Sequence, residues 1–144
     1  MSKTSPAGDT TTDPVRGYHL AADETLPGRD PDVRCSARST GGSLALYRTI
    51  VDGDGPPLHE HVHEDETIHV LQGRMEVDCG DERWTGGTGS TFFLPRRLPH
   101  TFRSVDGPAT ILFIVTPGHL DEFFRLKDEV SDPQEFAELV QRFF

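Results

Sequence analysis

Short apolar runs, several of them alternating with polar residues, occupy residues 33–115, and a longer period takes over after Pro117. Met75, Val77 and Cys79 alternate with Glu76 and Asp78, which predicts a strand over residues 74–79 with one buried face. Comparable runs predict strands over residues 33–39, 44–51, 58–63, 67–71, 83–85, 91–94, 100–105 and 110–115. Thr40-Gly41-Gly42, Gln72-Gly73, Gly80-Asp81 and the loop 86–89 punctuate them as turns. Beyond Pro117, Leu120, Phe123, Phe124 and Leu126 fall on one helical stripe within residues 119–130. Asp132-Pro133 is a helix start with proline in the first turn, and Phe136, Leu139, Val140 and Phe143 form a second stripe. Strands first and helices last, with glycine and proline between the strands, predict an all-β sandwich or barrel rather than a parallel α/β sheet.

Residues 1–31 differ. They are rich in Thr, Asp, Pro and Gly and have no period, which reads as a tail, partly disordered or ordered around residues 15–20 by docking on the body. The expected organisation is therefore a tail over 1–31, a barrel over 32–117 and C-terminal helices over 118–144. A chain of 144 residues suits one such domain.

Charge removes several classes of partner. The formal net charge of -10 argues against nucleic acid and against an anionic membrane surface, since both need a basic footprint. No apolar run approaches the length of a membrane span. Residues 1–31 hold no apolar core of a secretory signal, so a cytoplasmic location is the default expectation. Cys35 and Cys79 stand far apart in no paired motif, and read as small buried hydrophobes rather than a disulfide.

The chemistry concentrates in residues 53–73. His59 and His61 are two apart, which on a strand puts both imidazoles on one face, and Glu66 follows after a short bend. Two imidazoles and a carboxylate suit a first-row divalent metal. A solvated polar loop explains the same segment in a chain with seven histidines. The second informative stretch runs from Gly89 through Pro95 to His100, where a strand ends, turns at proline and restarts on a histidine.

Together the two stretches resemble the two motifs of the cupin superfamily, while Pro56–Gly73, with Pro-Pro-Leu-His before the site and Glu-Asp-Glu-Thr after it, and Phe113-Ile114-Val115-Thr116-Pro117 leading into Asp121-Glu122-Phe123-Phe124 resemble in particular the small single-domain cupins related to quercetin dioxygenases. The first motif, G-x5-H-x-H-x4-E-x6-G, is matched by Gly53, His59, His61, Glu66 and Gly73. The second, G-x5-P-x-G-x2-H-x3-N, is matched by Gly89, Pro95 and His100, with Arg97 in place of the glycine and Ser104 in place of the asparagine. Arginine tolerates the positive φ of such a turn poorly.

The resemblance implies a cupin-type jelly-roll β-barrel with C-terminal helices. It also implies one divalent transition metal (Fe, Mn, Ni, Co, Cu or Zn) held by His59, His61, Glu66 and His100. Three imidazoles and a carboxylate leave one or two positions for water, substrate or dioxygen. Glu66 would then serve as the catalytic base as well as a ligand. Ile68, Val70, Met75, Phe93 and Phe102 are the candidates for the wall of a substrate pocket, with ordinary core packing as the alternative for each.

His63 continues the alternation but would crowd the ion, so it is expected outside the ligand set. His69 is expected to face outward, and His19 and His119 to lie at the surface. Arg96 and Arg97 either meet an acidic substrate or form a solvated turn. The aromatic surplus of the C-terminal helices points to a homodimer. Three functions follow from the resemblance: an oxygenase acting on a flavonol- or polyketide-like aromatic, a non-oxidative cyclase or isomerase using the metal as Lewis acid, and a non-catalytic small-molecule binder.

Overall fold

The computed structural model describes residues 15–144, so the first fourteen residues of the expected tail lie outside the described residues. Among the described residues, eight strands precede two helices. The strands are β1 (Val33–Cys35), β2 (Ala45–Val51), β3 (Asp65–Gln72), β4 (Arg74–Cys79), β5 (Glu82–Gly87), β6 (Thr91–Leu94), β7 (His100–Ser104) and β8 (Ala109–Thr116). The helices are α1 (Leu120–Lys127) and α2 (Pro133–Phe143). A five-stranded sheet in the order β1-β2-β8-β3-β6 faces a three-stranded sheet in the order β5-β4-β7. This is the jelly-roll arrangement, with the two sheets hydrogen-bonded separately.

Alternation explains the core. Ala109, Ile111, Phe113 and Val115 on β8 point inward, as do Glu66, Ile68 and Val70 on β3. Met75, Val77 and Cys79 on β4 oppose them from the other sheet. Each inward aliphatic side chain stabilises the fold by roughly 1.5–3 kcal/mol through lost contact with water.

Two strand expectations need correction. The run 33–39 stops at Cys35, because the next residues coil into turns closed by their own hydroxyls. Ser36 Oγ accepts from Ser39 N, and Thr40 Oγ1 donates to Ser36 O. The run 58–63 is not a strand. Its Pro56-Pro57 entry lacks two backbone donors, and beyond it only His59 pairs, with His100, through an isolated bridge. The helix start at Asp132-Pro133 does form, with the Asp132 side chain accepting from Glu135 N.

Residues 15–32 form no regular element, yet the segment is docked. Leu26 is buried in the core, and Tyr18 donates its hydroxyl to Arg34 O at 3.0 Å. Arg29 reaches Asp121 on α1 with both terminal nitrogens, and the Tyr47 hydroxyl donates to the same carboxylate. Among the described residues no helix is long and apolar enough to cross a membrane.

Candidate metal centre

The loop between β2 and β3 carries His59 and His61 to the inside of the fold. Two close approaches hold it there. A Cβ on Gly55 would lie 2.2 Å from Phe102 O, so only glycine lets this loop lie against β7. His59 and His100 exchange backbone hydrogen bonds of 3.1 and 2.8 Å. Arg97 N donates to His61 O at 2.7 Å, which ties the second-motif turn to the first. Arg97 takes the glycine-like conformation, φ 67, so the turn survives the substitution of its glycine. Ser104, at the asparagine position, accepts from Gly53 N through its hydroxyl at 2.6 Å.

Glu66 enters from β3, paired on either side with Leu94 and Val115, and His100 opens β7. One potential ligand atom from each of His59, His61, Glu66 and His100 lies within 4.8 Å of all the others. His61, Glu66 and His100 are each 1% exposed. His61 Nε2 lies 2.5 Å from Glu66 Oε1, and His100 Nε2 lies 3.2 Å from Glu66 Oε2. These contacts are misaligned for hydrogen bonding, and His61 Nε2, His100 Nε2 and Glu66 Oε2 stay buried without a partner. Buried polar atoms are normally paired. Ligand atoms gathered this closely, buried and without a hydrogen-bond partner, are what a cation satisfies. Nitrogen and carboxylate donors in this set fit a divalent transition metal.

The protonation pattern agrees at Glu66 and His59 and runs the other way at His100, where burial would lower the imidazole but the Glu66 carboxylate holds it above its usual range. Burial opposes ionisation of Glu66, but the His100 and His61 imidazoles outweigh it and hold the carboxyl down at about 2. Burial, above all, holds His59 below the usual imidazole range, so it is neutral near pH 7 and free to ligate. His59 Nδ1 faces Pro57 O at 2.7 Å and His100 Nδ1 faces Leu98 O at 3.1 Å, which leaves Nε2 of each ring for the site.

His59, His61 and Glu66 form part of the wall of a cavity of about 960 Å³. Tyr47, Phe102, Phe113, Phe124 and Phe144 line it. The Phe144 ring centroid lies 4.9 Å from that of His61, so the end of α2 covers the ligand cluster. The helical aromatics that suggested a dimer interface are therefore largely turned to this cavity.

Of the five expected pocket residues, Phe102 lines the cavity. Phe93 does not: Phe92 and Leu94 take the inward positions of β6 and leave Phe93 55% exposed on the outer face. Ile68, Val70 and Met75 are fully buried but lie away from this cavity, packed between the two sheets. Tyr47, Phe113, Phe124 and Phe144 were missed, although the alternation of β8 and the stripe of α1 marked two of them as inward-facing.

His63 is exposed and outside the cluster. His69 is half-buried and pairs with Thr91 Oγ1 at 2.9 Å. His19 and His119 are exposed. Arg96 is held by Asp65, at 3.2 Å from both Nε and Nη2, and neither it nor Arg97 lines the cavity. Cys35 and Cys79 are free thiols. Glu64, passed over in the sequence, is buried, and burial pushes its carboxyl up against the pull of His61.

The cupin domain family matches residues 46–115. The polyketide synthase CurC of Streptomyces cyaneus is 30% identical over 108 residues, covering 69% of this chain and 68% of that protein. The chain belongs to the cupin superfamily. Another relative, the quercetin 2,3-dioxygenase of Bacillus subtilis, is 26% identical over 110 residues, which cover 74% of this chain. The match spans 31% of that enzyme's length. Among solved structures, KdgF from Halomonas sp. superposes with a TM-score of 0.57 at 16% identity, over 72% of this cupin and 94% of that chain. That likeness speaks for the fold alone.

Proposed function

We propose that this cupin is a metal-dependent enzyme acting on a planar, hydroxylated aromatic small molecule of flavonol or polyketide type, with dioxygen as co-substrate. One observation carries the reading. The unpartnered His61 nitrogens and a Glu66 carboxylate oxygen belong to the wall of a cavity whose lining includes Tyr47, Phe102, Phe113, Phe124 and Phe144, together with charged residues such as Arg29, Arg125 and Lys127. Cavities of several hundred Å³ with apolar walls and a few convergent polar groups are the usual form of small-molecule sites.

His59, His61, Glu66 and His100 would hold the ion. When bound, it supplies a Lewis acid that lowers the pKa of a substrate hydroxyl and, if redox-active, electrons for oxygen chemistry. The chain's own residues supply the rest. Phe102, Phe113 and Phe144 offer faces and edges against which a flat ring system packs. Phe144 shields the ligand cluster from water. Glu66, with two carboxylate oxygens, can ligate through one and take the proton of a substrate hydroxyl on the other.

A second reading is favoured by the similarity to CurC: the same site cyclises or isomerises a polyketide-like aromatic without consuming oxygen. Oxygen uptake and product analysis with a flavonol and with polyhydroxylated fused-ring aromatics, aerobically and anaerobically, divide the two. Oxygen consumption matched to product supports the oxygenase. Turnover that persists anaerobically replaces it with the second reading. Metal-loaded protein that binds these compounds and leaves them unchanged overturns both.

A further inference from the structure

Two of the three imidazoles at the centre are fixed from behind by backbone carbonyls, Pro57 O for His59 and Leu98 O for His100. Each such contact keeps the proton on Nδ1 and the lone pair on Nε2. His61 has no such partner. Its Nδ1 is buried without a hydrogen bond. Facing it, 3.9 Å away, is Glu64 Oε1, also buried and also without a partner. Both side chains are only 2% exposed. Two orphaned atoms of opposite character, donor and acceptor, thus point at one another across a gap too long for a hydrogen bond.

A buried carboxylate oxygen with nothing to accept from burdens the fold. We propose that Glu64 is a positioning residue of the metal centre, accepting the Nδ1–H of His61 when Nε2 of that ring binds the ion. The proposal rests on the metal-centre reading above and adds a residue outside the four ligands. Closing the gap takes a side-chain adjustment of about 1 Å. The contact fixes the tautomer and orientation of the ring and makes Nε2 a stronger donor. It also balances charge. Glu64 and Glu66 together offset the two positive charges of a divalent ion in a largely buried site.

The residue therefore acts with opposite sign in the two forms of the protein. Unmade, the contact leaves two polar atoms stranded; made, it strengthens the site. Zinc is the probe, since it suits these ligands and has no redox chemistry of its own. Zinc affinity is read by competition with a chromophoric chelator, melting temperature with and without zinc, and the His61 Nδ1–H by nitrogen-15 imidazole spectra of the loaded protein.

Glu64→Leu is expected to weaken zinc binding about 10–100-fold, the usual effect of losing such a partner. Its metal-free melting temperature should equal or exceed that of the parent, while the zinc-induced rise shrinks and the His61 Nδ1–H signal is lost. Glu64→Gln keeps an acceptor, so its affinity should fall in between, with the signal retained but shifted. Unchanged zinc affinity and an unchanged signal in Glu64→Gln overturn the proposal, whether or not the leucine variant folds. So does a metal-free melting temperature that drops in both variants as far as the loaded one, because that marks a purely structural role. A parent protein that binds no zinc, or a His61→Ala variant that binds it undiminished, overturns the metal centre itself. That outcome is separate from a failure confined to Glu64.

Discussion

Asp121→Asn is the most demanding test of how the helices are held over the cavity. Asp121 lies in the first turn of α1 and is 1% exposed. Its carboxylate accepts from Arg29 Nη1 and Nη2 at 3.2 and 2.7 Å, from Ala37 N at 3.1 Å, and from the Tyr47 hydroxyl. One side chain thus gathers the docked segment before β1, the turn after it, and β2 onto the helix. Asparagine keeps the shape, removes the charge and replaces one acceptor oxygen by a donor amide among groups that all donate. Removing one member of a buried pair typically costs about 3–5 kcal/mol. The Arg29 side chain keeps 17% of its exposure and can turn to water, which puts the expectation at the low end, about 3 kcal/mol. For a chain of this length that lowers Tm by roughly 10 °C, read by calorimetry at pH 7.

The pH dependence has a definite sign. Burial alone would raise the Asp121 carboxyl, but Arg29 and the Tyr47 hydroxyl hold it below its ordinary value. A carboxyl depressed in the folded state contributes its full stability above the unfolded value, near 3.9, and loses it as pH falls through the folded value. The gap in stability between parent and variant should stay constant from neutral pH to about 5 and close below about 4. A double-mutant cycle with Arg29→Met should show strong coupling. A loss under about 1 kcal/mol at pH 7, or additive effects in the cycle, would refute the reasoning by making the pair equivalent to a surface contact.

Three further outcomes are expected. His61→Ala should strip most of the bound metal while His63→Ala leaves it, measured by elemental analysis, and equal losses would sink the ligand assignment. Phe144→Ala should leave metal content unchanged but weaken a bound flavonol about fivefold, the loss of roughly 1 kcal/mol of ring packing, by fluorescence titration. Arg97→Gly should raise stability by about 1 kcal/mol, because glycine takes the positive φ without steric cost. A fall in melting temperature there would mean that the arginine side chain makes a compensating contact.

Much of the architecture was legible because it is local. Strands β4 and β6 have the bounds that alternation predicts, since the period of two reports burial on one face directly. The helix beginning at Pro133 was legible for the same kind of reason, a cap residue followed by proline. The segment around His59 was misread as a strand because alternation in a polar run has no hydrophobic face to report. Its conformation comes from Gly55 and from the bridge to His100, both set by a chain segment more than forty residues away.

The site divides along the same line. Spacing and residue type, together with the resemblance to the two cupin motifs, singled out His59, His61, Glu66 and His100, because a ligand must be an imidazole or carboxylate and the motifs prescribe where it stands. Tertiary structure decided what surrounds them. Phe93 and Phe92 are equivalent in composition, and only the pairing of β6 with β3 says which one is buried. Nothing in the sequence marks Glu64 and Asp121 as buried; their burial depends on the loop folding under Arg97 and on α1 docking on Tyr47. A sequence states which groups can donate, accept or ligate. Whether water reaches them is a property of the packed chain, and in this cupin that exclusion is what turns a histidine-rich loop into a candidate metal centre.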